Sequence, residues 1–200
     1  MNMKAKSGLL FTEKTDYSSQ HLCGQQLISI MSLEFTGNIH DLTATPSGRP
    51  IFLNYPYADF NISHSRNLAA CTITAEGITG CDIQYMRRRT NLKTAERCFH
   101  HEELQDIDET RYYMLWTLKE AFLKMHGMGV SEINRSPVFT VKKSELLISG
   151  YTDSLYAAVF RAKDYMLSMI FSEKPALQNI YPYYYSTGIP EFKLEASNFI

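Results

Sequence analysis

The stretch Arg111–Met125 (RYYMLWTLKEAFLKM) constrains this chain more than any other. Wound as a helix at about 100° per residue, it gathers Met114, Leu115, Leu118, Phe122 and Met125 into one arc, the face that closes a core. Trp116, Glu120 and Lys124 follow one another at i,i+4 spacing and form a separate stripe. A Glu–Lys pair on a solvated helix face is ordinary, worth about 0.3–0.5 kcal/mol. A Trp on the same stripe, with Leu123 beside it, is not: it calls for cover from a second body of protein or from a ligand. Gly127-Met128-Gly129 ends the helix sharply.

Around this helix the chain alternates element types. Gln20–Leu33 is helix-like, Gly37–Pro50 is a turn-rich connection, and Phe52–Ile62 reads mostly as loop leading into a short strand. Leu68–Thr74 and Ile78–Ile83 are β-rich runs, and Ala75-Glu76-Gly77 between them looks like a hairpin turn. Thr94–Phe99 and His101–Ile107 read as helices ahead of the central one. Val138–Val141, Glu145–Ser149, Tyr156–Phe160 and Tyr165–Phe171 resemble strands of a second antiparallel sheet. The tail from Lys174, rich in tyrosine, gives no reading. Helix, strands, helices, strands is an α+β order, with two similar halves meeting near residues 85–95 and a boundary placed between residues 1–90 and 91–200.

Composition excludes several classes. Lys+Arg 20 against Asp+Glu 21 gives a net charge of −1, without the basic excess of a general nucleic-acid binder. With 44% hydrophobic residues the chain can bury a core. Leu27–Leu33 and Leu155–Phe160 are its best apolar runs, far short of the ~20 residues of a membrane helix. The basic start Met1–Lys6 is followed by no apolar signal region, so no membrane association, no secretory signal and a cytoplasmic location are expected. Cys23, Cys71, Cys81 and Cys98 are scattered without zinc-ligand spacing and read as reduced, buried thiols.

Three further segments carry chemistry. In Gly80-Cys81-Asp82-Ile83-Gln84, read as a strand, Asp82 and Gln84 share a face. With Glu120 they offer hard oxygen ligands for Mg²⁺; a solvated edge strand is the alternative. Phe60-Asn61-Ile62-Ser63-His64-Ser65 sets hydroxyls and an imidazole at a strand end, donors suited to phosphate, where a structural histidine is the plainer account. His100-His101-Glu102-Glu103 is no metal site on a helix, because adjacent histidines diverge by about 100°; acids at a helix start are the simpler reading.

In order and spacing, Gly48-Arg49-Pro50, Phe60–Ser65, Gly80–Gln84, Phe99–Glu103, Trp116–Lys124 and Gly127–Gly129 closely resemble the Sfp-type 4′-phosphopantetheinyl transferases, from about Gly48 to Val141. The resemblance implies transfer of 4′-phosphopantetheine from coenzyme A to a serine hydroxyl of an apo carrier protein, releasing adenosine 3′,5′-bisphosphate. It implies Mg²⁺, with Mn²⁺ as a substitute, held by Asp82 and Glu120, with Gln84 where the common pattern has another acid. It implies Ser63, His64 and Arg49 on the coenzyme's phosphates, Lys124 on the pyrophosphate, Lys119 as the other motif lysine, and Glu103, next to Glu102, as general base. No arginine of the kind that often meets the nucleotide phosphate stands around Ser18–Gly24; Gln20 and His21 occupy that region. The implied fold is a monomeric pseudodimer of α+β halves, each a small antiparallel sheet packed on helices. The active site would lie in the cleft between them, Asp82 coming from the first half and Glu120 from the second. A catalytically impaired module that binds coenzyme A or a carrier protein is the alternative, motivated by Gln84 and the absent arginine.

Overall fold

One connectivity, a strand, a helical segment, a two-stranded ribbon and a hairpin, occurs twice along the chain. The computed structural model describes residues 4–87 and 92–199. In the first pass β1 (Ala5–Phe11) leads into α1 (Tyr17–Thr36), then a ribbon of β2 (Leu42–Ala44) and β3 (Pro50–Phe52), then the hairpin β4 (Asp59–Ser65) and β5 (Leu68–Thr74). In the second, β6 (Thr79–Tyr85) leads through α2 (Leu92–Cys98), a single 3-10 turn His101–Glu103 and α3 (Glu109–His126) to a ribbon of β7 (Val138–Lys142) and β8 (Glu145–Ser149). The hairpin β9 (Tyr156–Ala162) and β10 (Tyr165–Phe171) completes it. The tail adds α4 (Leu177–Ile180), β11 (Tyr183–Tyr184) and β12 (Lys193–Ser197).

The strands form two main sheets, β11-β1-β5-β4 and β6-β10-β9-β12-β8-β7. In each, the opening strand pairs antiparallel with the last strand of its hairpin, β1 with β5 and β6 with β10. The tail ties into both sheets, β11 parallel to β1 and β12 parallel to β8. The expected hairpin across Ala75–Gly77 is not formed: β5 pairs with β1 and β4, β6 pairs with β10, and the turn carries the chain from one sheet to the other. Both runs look alike in sequence because both are buried, β5 along its whole length and β6 over its first five residues. The expected boundary at 90/91 lies outside the described residues; β6, ahead of it, pairs with β10, beyond it.

The two long helices are fixed by their own ends. Asp16 caps α1 by accepting from the Ser19 amide, and Gly37, at φ 83°, closes it. Asp108 accepts from the Arg111 amide to cap α3, and Gly127, at φ 65°, donates to the Leu123 and Lys124 carbonyls at its end. α1 lays Leu27, Ile28 and Met31 on Phe60, Cys71 and Ile73. The arc Leu115, Leu118 and Phe122 of α3 packs with Phe139, Met166 and Ile170. Strand and helix come closest at Gly80, where an added Cβ would lie 2.0 Å from the Ala121 carbonyl oxygen, so only glycine fits. All four cysteines are free thiols, as expected, and only Cys98 is not fully buried. Among the described residues no helix is long and apolar enough to cross a membrane.

Candidate active site

The two sheets meet edge to edge, and side chains make the seam. β4 has residues of alternating character, and Asp59, Asn61, Ser63 and Ser65 fall at every second position. Each accepts a backbone N–H from β6: Asp59 Oδ2 from Thr79 at 2.8 Å, Asn61 Oδ1 from Cys81 at 3.0 Å, Ser63 Oγ from Ile83 at 3.2 Å and Ser65 Oγ from Tyr85 at 2.9 Å. An edge strand must satisfy its outward amides. Here side chains of the neighbouring sheet do so, fixing the register of β4 against β6.

That register brings Ser63 to Asp82. The Ser63 hydroxyl donates to Asp82 Oδ1 at 2.8 Å. Lys124 Nζ donates to the same Oδ1 at 2.6 Å and to Ser63 Oγ at 2.8 Å, and Gln84 Nε2 donates to Asp82 Oδ2 at 3.1 Å. Asp82 is almost fully buried, at 2% side-chain exposure, while Lys124 keeps 30% and reaches the cluster from the last turn of α3. Burial works against the Lys124 ammonium, but Asp82 outweighs it and the lysine's pKa is raised. Glu120, half-buried one turn earlier, makes no hydrogen bond with the described residues; burial first and the nearby Asp82 second push its pKa up to about 7, against Lys124. The stripe seen in the sequence therefore runs along the seam. Trp116, stacked on Tyr112, is its far end.

Asp82 and Glu120 do not come from separate units. β6 and α3 pack directly on each other in the second sheet's layer, and the first sheet contributes Ser63 and His64. His64 stands edge-on to Tyr17. Burial, then Lys124 and His21, holds its pKa below the ordinary histidine value. Beside the cluster a cleft of about 290 Å³ is lined by Ser47, Arg49, Asn61, Lys124 and Gly127. A second of about 400 Å³, reached past Gly48, Pro50 and Ile62 that line both, holds His21, Gln25 and His64.

Two sequence expectations meet a different environment. Glu103 and Lys119 form an ion pair at 2.9 Å with both side chains at 0% exposure. Glu103 Oε2 also accepts the His100 amide at 2.7 Å and Oε1 the Phe139 amide at 2.8 Å, while Lys119 donates to Ser136 Oγ at 2.9 Å. The carboxylate ties the 3-10 turn and β7 to α3. Glu102, its neighbour, is the exposed one. Arg49 likewise turns inward, its guanidinium paired with Asp59 at 2.7 Å. Asp59 was missed in the sequence, as was the Asn61–Ser65 ladder; polar residues at every second position of a strand were the available signal.

Among the described residues no three His, Cys, Asp or Glu side chains are grouped to hold a metal ion. The carboxylates of Asp82 and Glu120 are hard oxygens of the kind Mg²⁺ takes; after burial it is Asp82's charge that lifts Glu120, a repulsion a bound cation relieves, while Gln84 reaches Asp82 through its amide nitrogen. On that ground the residues fit a divalent cation.

Residues 78–167, which run from β6 through α3 and β9 into the first residues of β10, match the family model of the 4′-phosphopantetheinyl transferase superfamily. Over that stretch the chain is similar to that superfamily. It is 34% identical over 131 residues to the 4′-phosphopantetheinyl transferase ffp of Bacillus subtilis, covering 60% of this chain and 57% of that one. Against the 4′-phosphopantetheinyl transferase Sfp of Bacillus subtilis (strain 168) the identity is 32% over 131 residues, with the same coverage. The 4′-phosphopantetheinyl transferase HetI of Nostoc sp. is 37% identical over 82 residues, 37% of this chain and 35% of that one. The chain spans about half the length of the curated relatives it matches.

Proposed function

We propose that this chain transfers 4′-phosphopantetheine from coenzyme A to a serine hydroxyl of an apo carrier protein and releases adenosine 3′,5′-bisphosphate. The observation that carries the reading is the Ser63–Asp82–Lys124 cluster, whose Lys124 lines the smaller cleft, with Glu120 and Gln84 beside it. The serine oxygen attacks the phosphorus that bears pantetheine, its proton passing to solvent water, and the pyrophosphate P–O bond to the leaving bisphosphate breaks. Lys124 offsets the negative charge that builds on the leaving bisphosphate, as a fixed cation in a partly dry site does. His64 donates to the phosphates from β4, while Ser63, its one hydroxyl hydrogen given to Asp82, positions Asp82 and Lys124. Asp82, Glu120 and Gln84 would hold Mg²⁺ or Mn²⁺, which supplies charge neutralisation at the pyrophosphate. Glu103 and Lys119, closed into the interior, hold α3 in place rather than exchange protons with substrate. We also infer that the two strand, helix, ribbon and hairpin units form one monomeric pseudodimer, with the seam as its active-site cleft.

The test is mass spectrometry of an apo carrier protein incubated with this protein, coenzyme A and Mg²⁺. Gain of one phosphopantetheine supports the transferase. Coenzyme binding without mass gain supports the binding module suggested by Gln84, whose neutral amide donates to Asp82 where the resemblance has an acid.

A further inference from the structure

Arg49 sits on the rim of the cleft beside Lys124, where a phosphate-binding arginine would be expected, yet its donors are spent inside the protein. Nη1 and Nη2 grip Asp59 in a fork at 2.9 and 2.7 Å. Nη2 also donates to the Phe60 and Thr79 carbonyls, each at 3.2 Å, and Nε donates to the Lys124 carbonyl at 3.0 Å. Only one hydrogen, on Nη1, is left without an acceptor. The pair is largely shielded, with side-chain exposures of 10% and 15%. The turn that carries Arg49 also rides on the end of α3: a Cβ at Gly127 would meet Ser47 Oγ at 2.6 Å.

These bonds join three elements at one point. Phe60 lies on β4, Thr79 opens β6, and the Lys124 carbonyl belongs to the helix turn that carries the Lys124 ammonium. Asp59 is at the same time the first rung of the side-chain ladder between the sheets, accepting the Thr79 amide. We propose that the Arg49–Asp59 pair is a positioning clamp that sets β4, β6 and the end of α3 in the register in which Ser63, Asp82 and Lys124 meet, and that Arg49 is not a ligand of the coenzyme's phosphates. The clamp rests on the transferase reading for its kinetic consequence and on geometry alone for its existence.

Arg49→Lys, Arg49→Met, Asp59→Asn and the double variant Arg49→Met/Asp59→Asn separate the two roles. Lysine keeps a charge that binds phosphate but cannot form the fork. Asp59 is an anion and cannot itself bind phosphate. A clamp requires that Arg49→Lys, Arg49→Met and Asp59→Asn each lower kcat tenfold or more, with KM for coenzyme A within about twofold and the double variant no worse than the poorer single one. Hydrogen exchange of the Thr79, Gly127 and Met128 amides is faster in every variant, and calorimetric affinity for coenzyme A is unchanged. A tenfold rise in KM and in the calorimetric Kd for Arg49→Met, with Arg49→Lys and Asp59→Asn near wild type, overturns the clamp and makes Arg49 a phosphate ligand. Unchanged kcat in all four, below their melting temperatures, overturns the positioning role. If the wild-type protein transfers nothing, the functional reading fails, while exchange and calorimetry still decide the clamp: unaltered exchange refutes it.

Discussion

Replacing Lys119 by methionine keeps the volume and the stem packing of the side chain and deletes one charge from an ion pair that solvent does not reach. The Glu103 carboxylate is then left with two amide donors, from His100 and Phe139, and no counter-ion. Breaking one side of a buried pair costs about 3–5 kcal/mol, and the two surviving amides put the loss toward the lower end. For a chain of this size that is about 6–15 °C in Tm, at roughly 2–4 °C per kcal/mol. Glu103→Gln is expected to be no milder. Its amide offers one acceptor where two N–H groups point, and Lys119 keeps only Ser136 and the Pro137 carbonyl. The double variant Glu103→Gln/Lys119→Met removes both charges, so its loss should fall below the sum of the singles by about 1–3 kcal/mol. Urea titration of the four proteins gives these numbers directly. An additive cycle, or a Lys119→Met loss under about 1 kcal/mol, refutes the strut. So does a Glu103→Gln protein of wild-type stability whose kcat falls about a hundredfold, which would return Glu103 to the role of proton acceptor.

Other outcomes follow from the same geometry. Asp82→Ala and Glu120→Ala should nearly abolish transfer and weaken Mn²⁺ binding measured by calorimetry, with Gln84→Ala milder on both; equal defects in all three would make Gln84 a full ligand. Lys124→Met should lower kcat by about 10²-fold, and turnover at the wild-type rate would reduce the lysine to a surface partner of Asp82. His64 has a folded pKa held below its unfolded value, so below neutrality the unfolded chain takes up the proton first and stability falls with pH. His64→Gln should flatten that slope in urea titrations between about pH 7 and 5, and an unchanged slope would refute the assignment. Gly80→Ala should force β6 from α3 and cost both stability and transfer, seen as a lowered Tm with a lowered kcat; a wild-type Tm would contradict the close approach.

The central helix was legible because its evidence is local. An apolar arc, an aspartate cap and a terminal glycine all lie within one turn of the residues they control, and α3 runs from Glu109 to His126 between them. Strands β7 to β10 were legible for the same reason, and the motif residues Ser63, Asp82 and Lys124 do come together. The Ala75–Gly77 turn was misread because a hairpin and a crossing between sheets use the same turn residues. What separates them is the partner of each strand, and β6 finds its partner, β10, some eighty residues on.

By itself, then, the sequence determined the two long helices, strands β5 to β10, the α+β order and the charged groups Asp82, Glu120 and Lys124, while β1 and the tail strands β11 and β12 went unread. Tertiary structure decided which of those charges meet solvent. Arg49, Glu103 and Lys119 are as polar as Lys124 on paper; their partners are remote in the chain, the Lys124 carbonyl for Arg49 and the Phe139 amide for Glu103. A charge is stabilised by the dipoles and counter-charges within a few ångströms of it. Which groups those are is fixed only when β4 docks on β6 and α3 closes over Gly80.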